Sequence, residues 1–228
     1  MIEMKALSKV YKKKIRALNN VSLSIGKGEF IFLVGESGAG KSTMMKLLYR
    51  EELPTAGQLI VNGKNLKKMK RRHLPTYRRN LGIVFQDYKL LDNRTVFDNI
   101  AFAMRAIEST KKTIKNRVPK ILRKVELEGK KNQLVSELSG GEKQRVGIAR
   151  AIINQPSIIF ADEPTGNLDP RTSREILDIL LEVNIQGTTM VMATHDKELV
   201  NFARRRVVEL FDGEVIRDDA EGGYRHEA

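Results

Sequence analysis

The chain has 228 residues and a formal net charge of +13. Its composition, 41% hydrophobic and 30% charged, is typical of a folded globular protein and excludes an intrinsically disordered one. Cysteine is absent, which excludes disulfide scaffolds and thiolate metal sites. The apolar runs are far shorter than the roughly 20 residues of a membrane-spanning helix, and the N-terminus lacks a signal-peptide pattern. We therefore expect the chain by itself to stay in the cytosol.

The positive charge is concentrated in clusters at residues 12–14, 64–72, 78–79, 111–124 and 204–206. This excess favours an anionic partner, a nucleic acid or an acidic membrane leaflet, although solvated surface is the simpler explanation for any one cluster. Aromatic residues make up 6% of the chain and do not alternate with the basic runs, so stacking platforms for single-stranded nucleic acid are not predicted. We expect no specific nucleic-acid partner, and a contact with an anionic membrane surface.

The predicted elements start with strands at residues 2–7, 17–25 and 29–34, followed by a glycine-rich turn and a helix at 41–49. Short strands are predicted at 58–61 and 81–85, and helical structure at 95–125 and 142–153. Beyond Pro156 we predict strands at 157–161 and 188–193, helices at 171–183 and from Lys197, and a hairpin at 206–216. The sequence thus predicts a catalytic α/β lobe (1–86 and 155–217), an inserted helical lobe (87–154) and a flexible tail (218–228).

A glycine-rich loop lies between the strand at residues 29–34 and the helix that follows it, which is the context of a Walker A phosphate loop. Its glycines allow backbone N–H groups to converge on phosphate oxygens, and the helix N-terminus adds a favourable dipole. We expect Lys41 to reach the β- and γ-phosphates of a nucleotide, and the Ser42 hydroxyl to bind Mg²⁺. The predicted nucleotide-binding residues here are Gly35, Glu36, Ser37, Gly38, Ala39, Gly40, Lys41, Ser42 and Thr43.

The apolar strand at residues 157–161 ends in two carboxylates, Asp162 and Glu163, as a Walker B strand does. A carboxylate beside the phosphate loop can hold Mg²⁺, and a second one can orient or deprotonate an attacking water. We assign Asp162 to the metal and Glu163 to the water. Many strands end in solvated acids, so this assignment depends on the Walker A loop upstream.

The segment Leu138-Ser139-Gly140-Gly141-Glu142 begins a predicted helix shortly before the Walker B strand. A turn of small residues at a helix start can bind an anion, and Ser139 with Glu142 also fits an ordinary capping box. Both interpretations can hold together. The segment resembles the signature motif of the ABC-type ATPases, and it lies where that family has it.

The resemblance implies further site residues. Gln86 resembles the Q-loop glutamine that senses Mg²⁺ and water, and His195 resembles the H-loop histidine that contacts the γ-phosphate. Asp169 lies in a segment like the D-loop, which crosses to the opposite subunit. Tyr11 is placed like the aromatic residue that stacks on adenine, although an early tyrosine more often only packs.

The resemblance to the ABC-type ATPases also implies a fold, cofactors and an assembly. The fold is the ABC nucleotide-binding domain: a RecA-like parallel-sheet core, an N-terminal antiparallel β subdomain and an inserted α-helical subdomain. The cofactors are ATP and Mg²⁺, with Ser42, Gln86 and Asp162 as the metal-binding residues. The assembly is an ATP-dependent, head-to-tail homodimer in which the signature motif serves the opposite subunit.

Segments between the motifs narrow the resemblance to the FtsE family of cell-division ATPases. They are residues 47–52, 77–87 and 90–101. Within them, residues 94–96 are the most specific to that family. That family pairs with the integral membrane protein FtsX at the cytoplasmic face of the cell membrane and regulates cell-wall hydrolases. Two alternatives stay open: the ATPase of a lipoprotein-release or macrolide-export transporter, and a soluble DNA-repair or translation protein. The second has only the net charge in its favour.

We also predict that residues 87–99 line a groove that receives a cytoplasmic helix of the membrane partner. The segment joins Gln86 to the helical lobe, so movement there would reach the active site. Tyr88, Leu90, Leu91 and Phe97 supply apolar surface within it. Leu91 and Phe97 fit the lobe interior equally well, which makes Tyr88 and Leu90 the better probes.

Overall fold

The structure is a computed structural model that describes residues 1–223; residues 224–228, part of the predicted tail, lie outside the described residues. The strands are β1 (Ile2–Val10), β2 (Arg16–Ile25), β3 (Phe30–Val34), β4 (Ala56–Val61), β5 (Lys64–Asn65), β6 (Leu81–Val84), β7 (Ile158–Asp162), β8 (Thr189–Ala193), β9 (Arg206–Phe211) and β10 (Glu214–Asp219). The α-helices are α1 (Lys41–Leu48), α2 (Leu74–Arg79), α3 (Val96–Arg105), α4 (Lys111–Lys124), α5 (Gly140–Ile152), α6 (Pro170–Ile185) and α7 (Lys197–Ala203).

Two sheets organise these elements. Strands β9, β3, β8, β7 and β6 lie side by side and are parallel, and β10 adds an antiparallel edge next to β9. Strands β2, β1, β4 and β5 form a separate antiparallel sheet. Helices α3, α4 and α5 are inserted between β6 and β7. The predicted fold class is therefore the one observed.

The parallel sheet is covered on both faces, which explains why its strands are continuous apolar runs. In β3, Phe30, Phe32 and Val34 point into a core shared with the helices, whereas Ile31 and Leu33 point into a core shared with the antiparallel sheet. All five side chains are buried. Because parallel strands end at the same sheet edge, the residues that follow β3, β7 and β8 meet there.

The C-terminal hairpin extends further than predicted. Strand β10 ends at Asp219, and Arg206 donates from Nε to Asp218 Oδ1 at 2.6 Å and from Nη2 to Asp218 Oδ2 at 2.7 Å. The first two residues assigned to the flexible tail thus belong to the sheet. Within residues 1–223, every helix is too short or too polar to cross a membrane.

Candidate active site

The phosphate loop connects β3 to α1 and is pressed against neighbouring backbone. A Cβ on Gly35 (φ 141°) would lie 2.2 Å from the carbonyl oxygen of Leu210, and one on Gly40 (φ 108°) would lie 2.5 Å from that of Ala17. Only glycine fits at these two positions, since any side chain would meet backbone. The loop shape is therefore fixed by β9 and β2 behind it.

Lys41 begins α1 and its side chain turns back over the loop. The ammonium Nζ donates to the carbonyl oxygens of Gly35 at 2.6 Å and Glu36 at 2.9 Å. The residue is only 9% exposed. A cation is thus held at the mouth of the loop, at the N-terminus of a helix, where an anion would be doubly favoured.

Asp162 and Glu163 stand at the end of β7 in different surroundings. Burial raises the pKa of the Asp162 carboxyl, and the neighbouring Glu163 raises it further, while Lys41 opposes both. Its Oδ1 atom is buried and has no hydrogen-bond partner within the described residues. Glu163 has φ 48°, a conformation that costs free energy in a non-glycine residue, and its N–H donates to the carbonyl of Ala193 at 3.0 Å.

His195 follows β8 and approaches Glu163 directly. Its Nδ1 lies 2.7 Å from Glu163 Oε2. The two groups are close enough for an ion pair but are not aligned as a hydrogen bond, so Glu163 Oε2 keeps an unused acceptor. The imidazole is 67% exposed and the carboxylate 15%. The histidine therefore covers the carboxylate from the solvent side.

A set of oxygen ligands suited to Mg²⁺ lies between α1 and β7. The Ser42 hydroxyl lies on the Asp162 side of the loop and lowers the pKa of that carboxyl, and Asp162 Oδ1 is buried without a hydrogen-bond partner in the described residues. Among residues 1–223, no group of three or more His, Cys, Asp and Glu side chains could hold a metal by themselves. One carboxylate and one hydroxyl fit Mg²⁺ that also binds substrate phosphates, because this ion uses few protein ligands.

The phosphate loop, Glu163 and His195 share one cavity of about 600 Å³, and most of the predicted residues line it. Asp162 and Tyr11 do not line it. The Tyr11 ring lies under Lys9, whose Nζ is 4.8 Å from the ring centroid. Ala39 is buried behind the loop. The amide of Gln86 lies against Gly166, since a Cβ there would be 3.2 Å from Gln86 Nε2. The lining residues are Gly35, Glu36, Ser37, Gly38, Gly40, Lys41, Ser42, Thr43, Gln86, Glu163 and His195.

The signature segment forms the predicted capping box at the start of α5. Glu142 N–H donates to Ser139 Oγ at 3.3 Å, and Ser139 N–H donates to Glu142 Oε2 at 3.0 Å. Glu142 also pairs with Lys130 at 2.7 Å, and this hydrogen bond holds the pKa of the Glu142 carboxyl below its usual range. Leu138 is buried below the turn.

Ser139, Gly140, Gly141 and Glu142 line a second cavity, of about 330 Å³, together with Asp169. Asp169 caps α6, since the N–H of Thr172 donates to its Oδ1 at 3.0 Å. The structure thus brings the signature segment to the D-loop segment of the same chain. It does not bring the signature segment to the phosphate loop.

The sequence profile of the ABC transporter family matches residues 18–166, which contain the phosphate loop, the signature segment and both carboxylates. The chain belongs to the ABC transporter family. Its fold is that of an ABC ATPase cassette, and the chain is an ATPase of this family that binds and hydrolyses ATP. This confirms the resemblance inferred from the motifs.

Within this family, the chain is most clearly similar to proteins named as cell division ATP-binding proteins. The chain is 51% identical to the cell division ATP-binding protein FtsE of Bacillus subtilis, over 98% of each chain. It is 43% identical to the protein of that name from Escherichia coli, over the full length of both. A dimeric ATP-binding cassette in a post-hydrolysis state, bound to ADP and Pi, superposes with a TM-score of 0.88 at 35% identity, covering 98% of this chain and 100% of that one. The predicted resemblance to FtsE proteins is thus confirmed.

A third cavity, about 490 Å³, lies between β6, α2, α3 and α5, and we call it the groove. Of the segment 87–99, which we predict to receive a partner helix, Lys89 lines this cavity and Tyr88 and Leu90 do not. Leu90 packs on the core, and the Tyr88 hydroxyl lies near Gly140, because a Cβ there would be 3.1 Å from it. The groove residues are Pro75, Arg78, Arg79, Leu81, Ile83, Phe85, Lys89, Phe102, Ala103, Ala106, Ile107, Arg150, Ala151 and Asn154.

Arg150 and Asn154 are not among the residues predicted from the sequence. Arg150 donates to the carbonyls of Tyr88 and Lys89, and Asn154 donates to the carbonyl of Ala103 at 2.9 Å. The one available signal was a charged residue within the apolar run of α5, which is unusual on a buried helix.

Proposed function

We propose that two copies of this chain, arranged head to tail, hold ATP between the phosphate loop of one copy and the signature segment of the other. The observation that carries this proposal is the separation of the two within a single chain. Lys41 and Ser139 line different cavities, so each chain offers half of two sites. The ATP-binding cassette with the same fold, described as a dimer bound to ADP and Pi, supports it.

We assign the phosphate contacts to the residues of the loop. The backbone N–H groups of residues 35–43 and the Lys41 ammonium bind the β- and γ-phosphates, and Ser139 of the opposite copy binds the γ-phosphate from the other side. Ser42, Asp162 and Gln86 would hold Mg²⁺, which would supply positive charge to offset that of the phosphates. Asp169 contacts the opposite copy. Stacking of Tyr11 on adenine stays a prediction.

Glu163 is the proposed general base. Its carboxylate accepts a proton from water as the water oxygen bonds to the γ-phosphorus and the bond from that phosphorus to the β,γ-bridging oxygen breaks. The products are ADP and inorganic phosphate. Burial of the carboxylate and the left-handed backbone at Glu163 hold it in one place. His195 Nδ1 lies 2.7 Å from Glu163 Oε2 and holds the carboxylate in its orientation towards the phosphate loop. We also assign to His195 a contact with the γ-phosphate.

In the cell, we propose that ATP turnover drives a membrane protein of the FtsX type and so regulates cell-wall hydrolysis during division. The support is the identity of 43–51% to proteins named as cell division ATP-binding proteins, over nearly the whole chain. No feature of the described residues favours the lipoprotein-release or macrolide-export alternative. We propose that the protein acts at the cytoplasmic face of the cell membrane.

The groove is the proposed docking site for a cytoplasmic helix of that partner. It combines an apolar floor with a cationic rim of Arg78, Arg79 and Lys89. Phe102, which is 54% exposed on α3, adds a large apolar side chain to this surface. An amphipathic helix with an acidic residue at its edge would cover the apolar surface and pair with the rim.

The docking test is co-purification of the membrane partner in detergent. Phe102→Asp should lower its recovery about ten-fold or more, because a charge replaces an exposed apolar anchor. Ile185→Asp is the matched control, since Ile185 is 75% exposed at the end of α6, away from the groove. Equal recovery of the partner with both variants would refute docking at the groove.

A contact with the anionic membrane surface is proposed for the strip from Lys64 to Arg79, here called the basic strip. Residues 53–86 contain no Asp or Glu. Pro75, Arg78 and Arg79 of the strip also line the groove, so the two surfaces adjoin and share these residues. The exposed cations of the strip are Lys64, Lys67, Lys68, Lys70, Arg71, Arg72, Arg78 and Arg79.

Vesicle flotation tests the basic strip. The protein should float with phosphatidylcholine vesicles that contain phosphatidylglycerol and stay in solution with phosphatidylcholine alone, and added salt should weaken the binding. A variant with Lys64, Lys68, Arg71 and Arg72 changed to Glu should lose it. In the control variant, four other exposed residues, Lys111, Lys112, Lys115 and Lys120, are changed to Glu, which alters the net charge by the same amount. Equal loss in both variants would show that only net charge matters and refute the strip as the site.

A further inference from the structure

The turn that follows Gln86 has an unfavourable backbone conformation. Tyr88 has φ 57° and Lys89 has φ 47°, two consecutive residues with side chains in the left-handed region. The turn is closed by Tyr88 N–H to the Phe85 carbonyl at 3.3 Å and by Lys89 N–H to the Asp87 carbonyl at 2.6 Å. Such a conformation costs free energy and persists only where surrounding contacts hold it.

Arg150 supplies those contacts. From α5, its Nη2 donates to the carbonyl of Tyr88 at 2.8 Å, and its Nη1 donates to the carbonyl of Lys89. Each of the two left-handed residues therefore has its carbonyl bound by the same guanidinium. We call Arg150 with this turn the clamp.

Arg150 forms no ion pair within the described residues. No carboxylate oxygen in residues 1–223 lies within 4.0 Å of it, whereas the neighbouring Arg145 on the same helix pairs with Glu126 and Glu175. Burial lowers the pKa of the Arg150 guanidinium. A partly buried, unpaired cation is unfavourable, so the two hydrogen bonds to carbonyls are what compensates for its desolvation.

The clamp lies between three functional parts of the molecule. Gln86, immediately before the turn, lines the ATP cavity with Lys41 and Glu163. The helix that carries Arg150 begins at the signature segment. Arg150 and Lys89 also line the groove, so a helix bound there would touch the clamp itself.

We propose that Arg150 is a positioning residue for ATP hydrolysis: by binding both carbonyls of the left-handed turn, it sets where Gln86 stands in the ATP cavity. This rests on the role proposed for Gln86. It ties the signature helix and the groove to the active site through one side chain. Lysine cannot replace it, because an ammonium lacks the planar fork that reaches two carbonyls at once.

The first test separates positioning from binding. Arg150→Lys and Arg150→Gln are compared with the unmodified full-length protein in steady-state ATPase assays and in ATP binding without turnover. Both variants should lower kcat about ten-fold or more and change the dissociation constant for ATP less than about three-fold, because the phosphate loop is untouched. An unchanged kcat in both folded variants would overturn the proposal.

The second test addresses the strain itself. Glycine adopts positive φ without cost, so adding Lys89→Gly to Arg150→Lys should restore most of the lost kcat. Lys89→Ala is the matched control: it removes the same side chain, including its contact with the Phe85 ring, but keeps the strained backbone. Restoration by glycine and not by alanine supports the clamp.

Equal effects of the two Lys89 substitutions, or no restoration by either, would overturn it. Should Arg150→Gln fail to fold, Arg150→Lys and its two double variants carry the test. Failure of the clamp is also distinguishable from failure of the proposed active site. The latter would show as near-normal turnover in Glu163→Gln, whereas the clamp is tested by the difference between glycine and alanine at position 89.

Discussion

His195 Nδ1 lies 2.7 Å from Glu163 Oε2, although the two residues follow different strands of the parallel sheet. The contact forms because β7 and β8 are neighbours and both end at the same edge, with Asp162 opposite Ala193. The Glu163 N–H to Ala193 carbonyl bond then turns the chain so that the carboxylate faces the histidine. Sheet topology, not sequence proximity, builds this pair.

Glu163→Gln should abolish turnover and leave ATP binding intact. The amide keeps the size of the side chain but cannot accept a proton from water, whereas Lys41 and the loop still hold the phosphates. We expect kcat to fall about 100-fold or more, the usual contribution of a general base. The variant should also accumulate as an ATP-bound dimer in size-exclusion chromatography. Turnover near the normal rate would show that Glu163 is not the base.

Asp162→Asn should raise the melting temperature of the nucleotide-free protein while weakening Mg²⁺-dependent ATP binding. Burial raises the pKa of Asp162 in the folded state, so its ionised form is unfavourable there, and the amide removes that charge. The increase is measured as the midpoint of thermal unfolding in the absence of nucleotide and Mg²⁺.

The difference in melting temperature between Asp162→Asn and the unmodified protein should become smaller as the pH falls. The unfavourable ionisation of Asp162 is present at neutral pH and disappears as pH falls through its raised folded-state pKa. The melting temperatures of Asp162→Asn and the unmodified protein should therefore converge on acidification. A gap that widens at lower pH would contradict a raised pKa.

Ser139 has two predicted roles that substitution can separate. Ser139→Ala should cost about 1 kcal/mol in free energy of unfolding, because α5 loses its N-cap. Ser139→Asp should keep the stability, since aspartate caps as well as serine, yet lose ATPase activity because its carboxylate repels the γ-phosphate. Denaturant titration and ATPase assay measure the two effects. An active Ser139→Asp variant would restrict Ser139 to capping.

The sequence was sufficient for the fold and for the parts of the site that are local. Gly35 to Lys41 could be predicted because strand, loop and helix are contiguous, and the capping box of Ser139 and Glu142 is readable within four residues. The phosphate loop and the capping box are each formed by residues that are close together in the chain. The parallel core followed from apolar strands alternating with helices.

Contacts between distant segments could not be predicted in this way. The hold of Arg150 on the Tyr88–Lys89 turn joins residues about sixty positions apart, and nothing in either segment indicates the other. The positions of the Tyr88 and Leu90 side chains could not be predicted for the same reason, because a loop sequence does not show which way its side chains turn. Which apolar residues face out was decided by packing of α3 on α5.

Mixing two inactive variants tests whether the ATP site is shared by two chains. Lys41→Ala lacks a working phosphate loop, and Ser139→Arg lacks a working signature segment. A mixed dimer has one site with both defects and one with neither. If dimers form at random and sites act independently, an equal mixture should recover about a quarter of normal ATPase activity. No recovery, in a mixture where mixed dimers are shown to form, would show that the site is not shared.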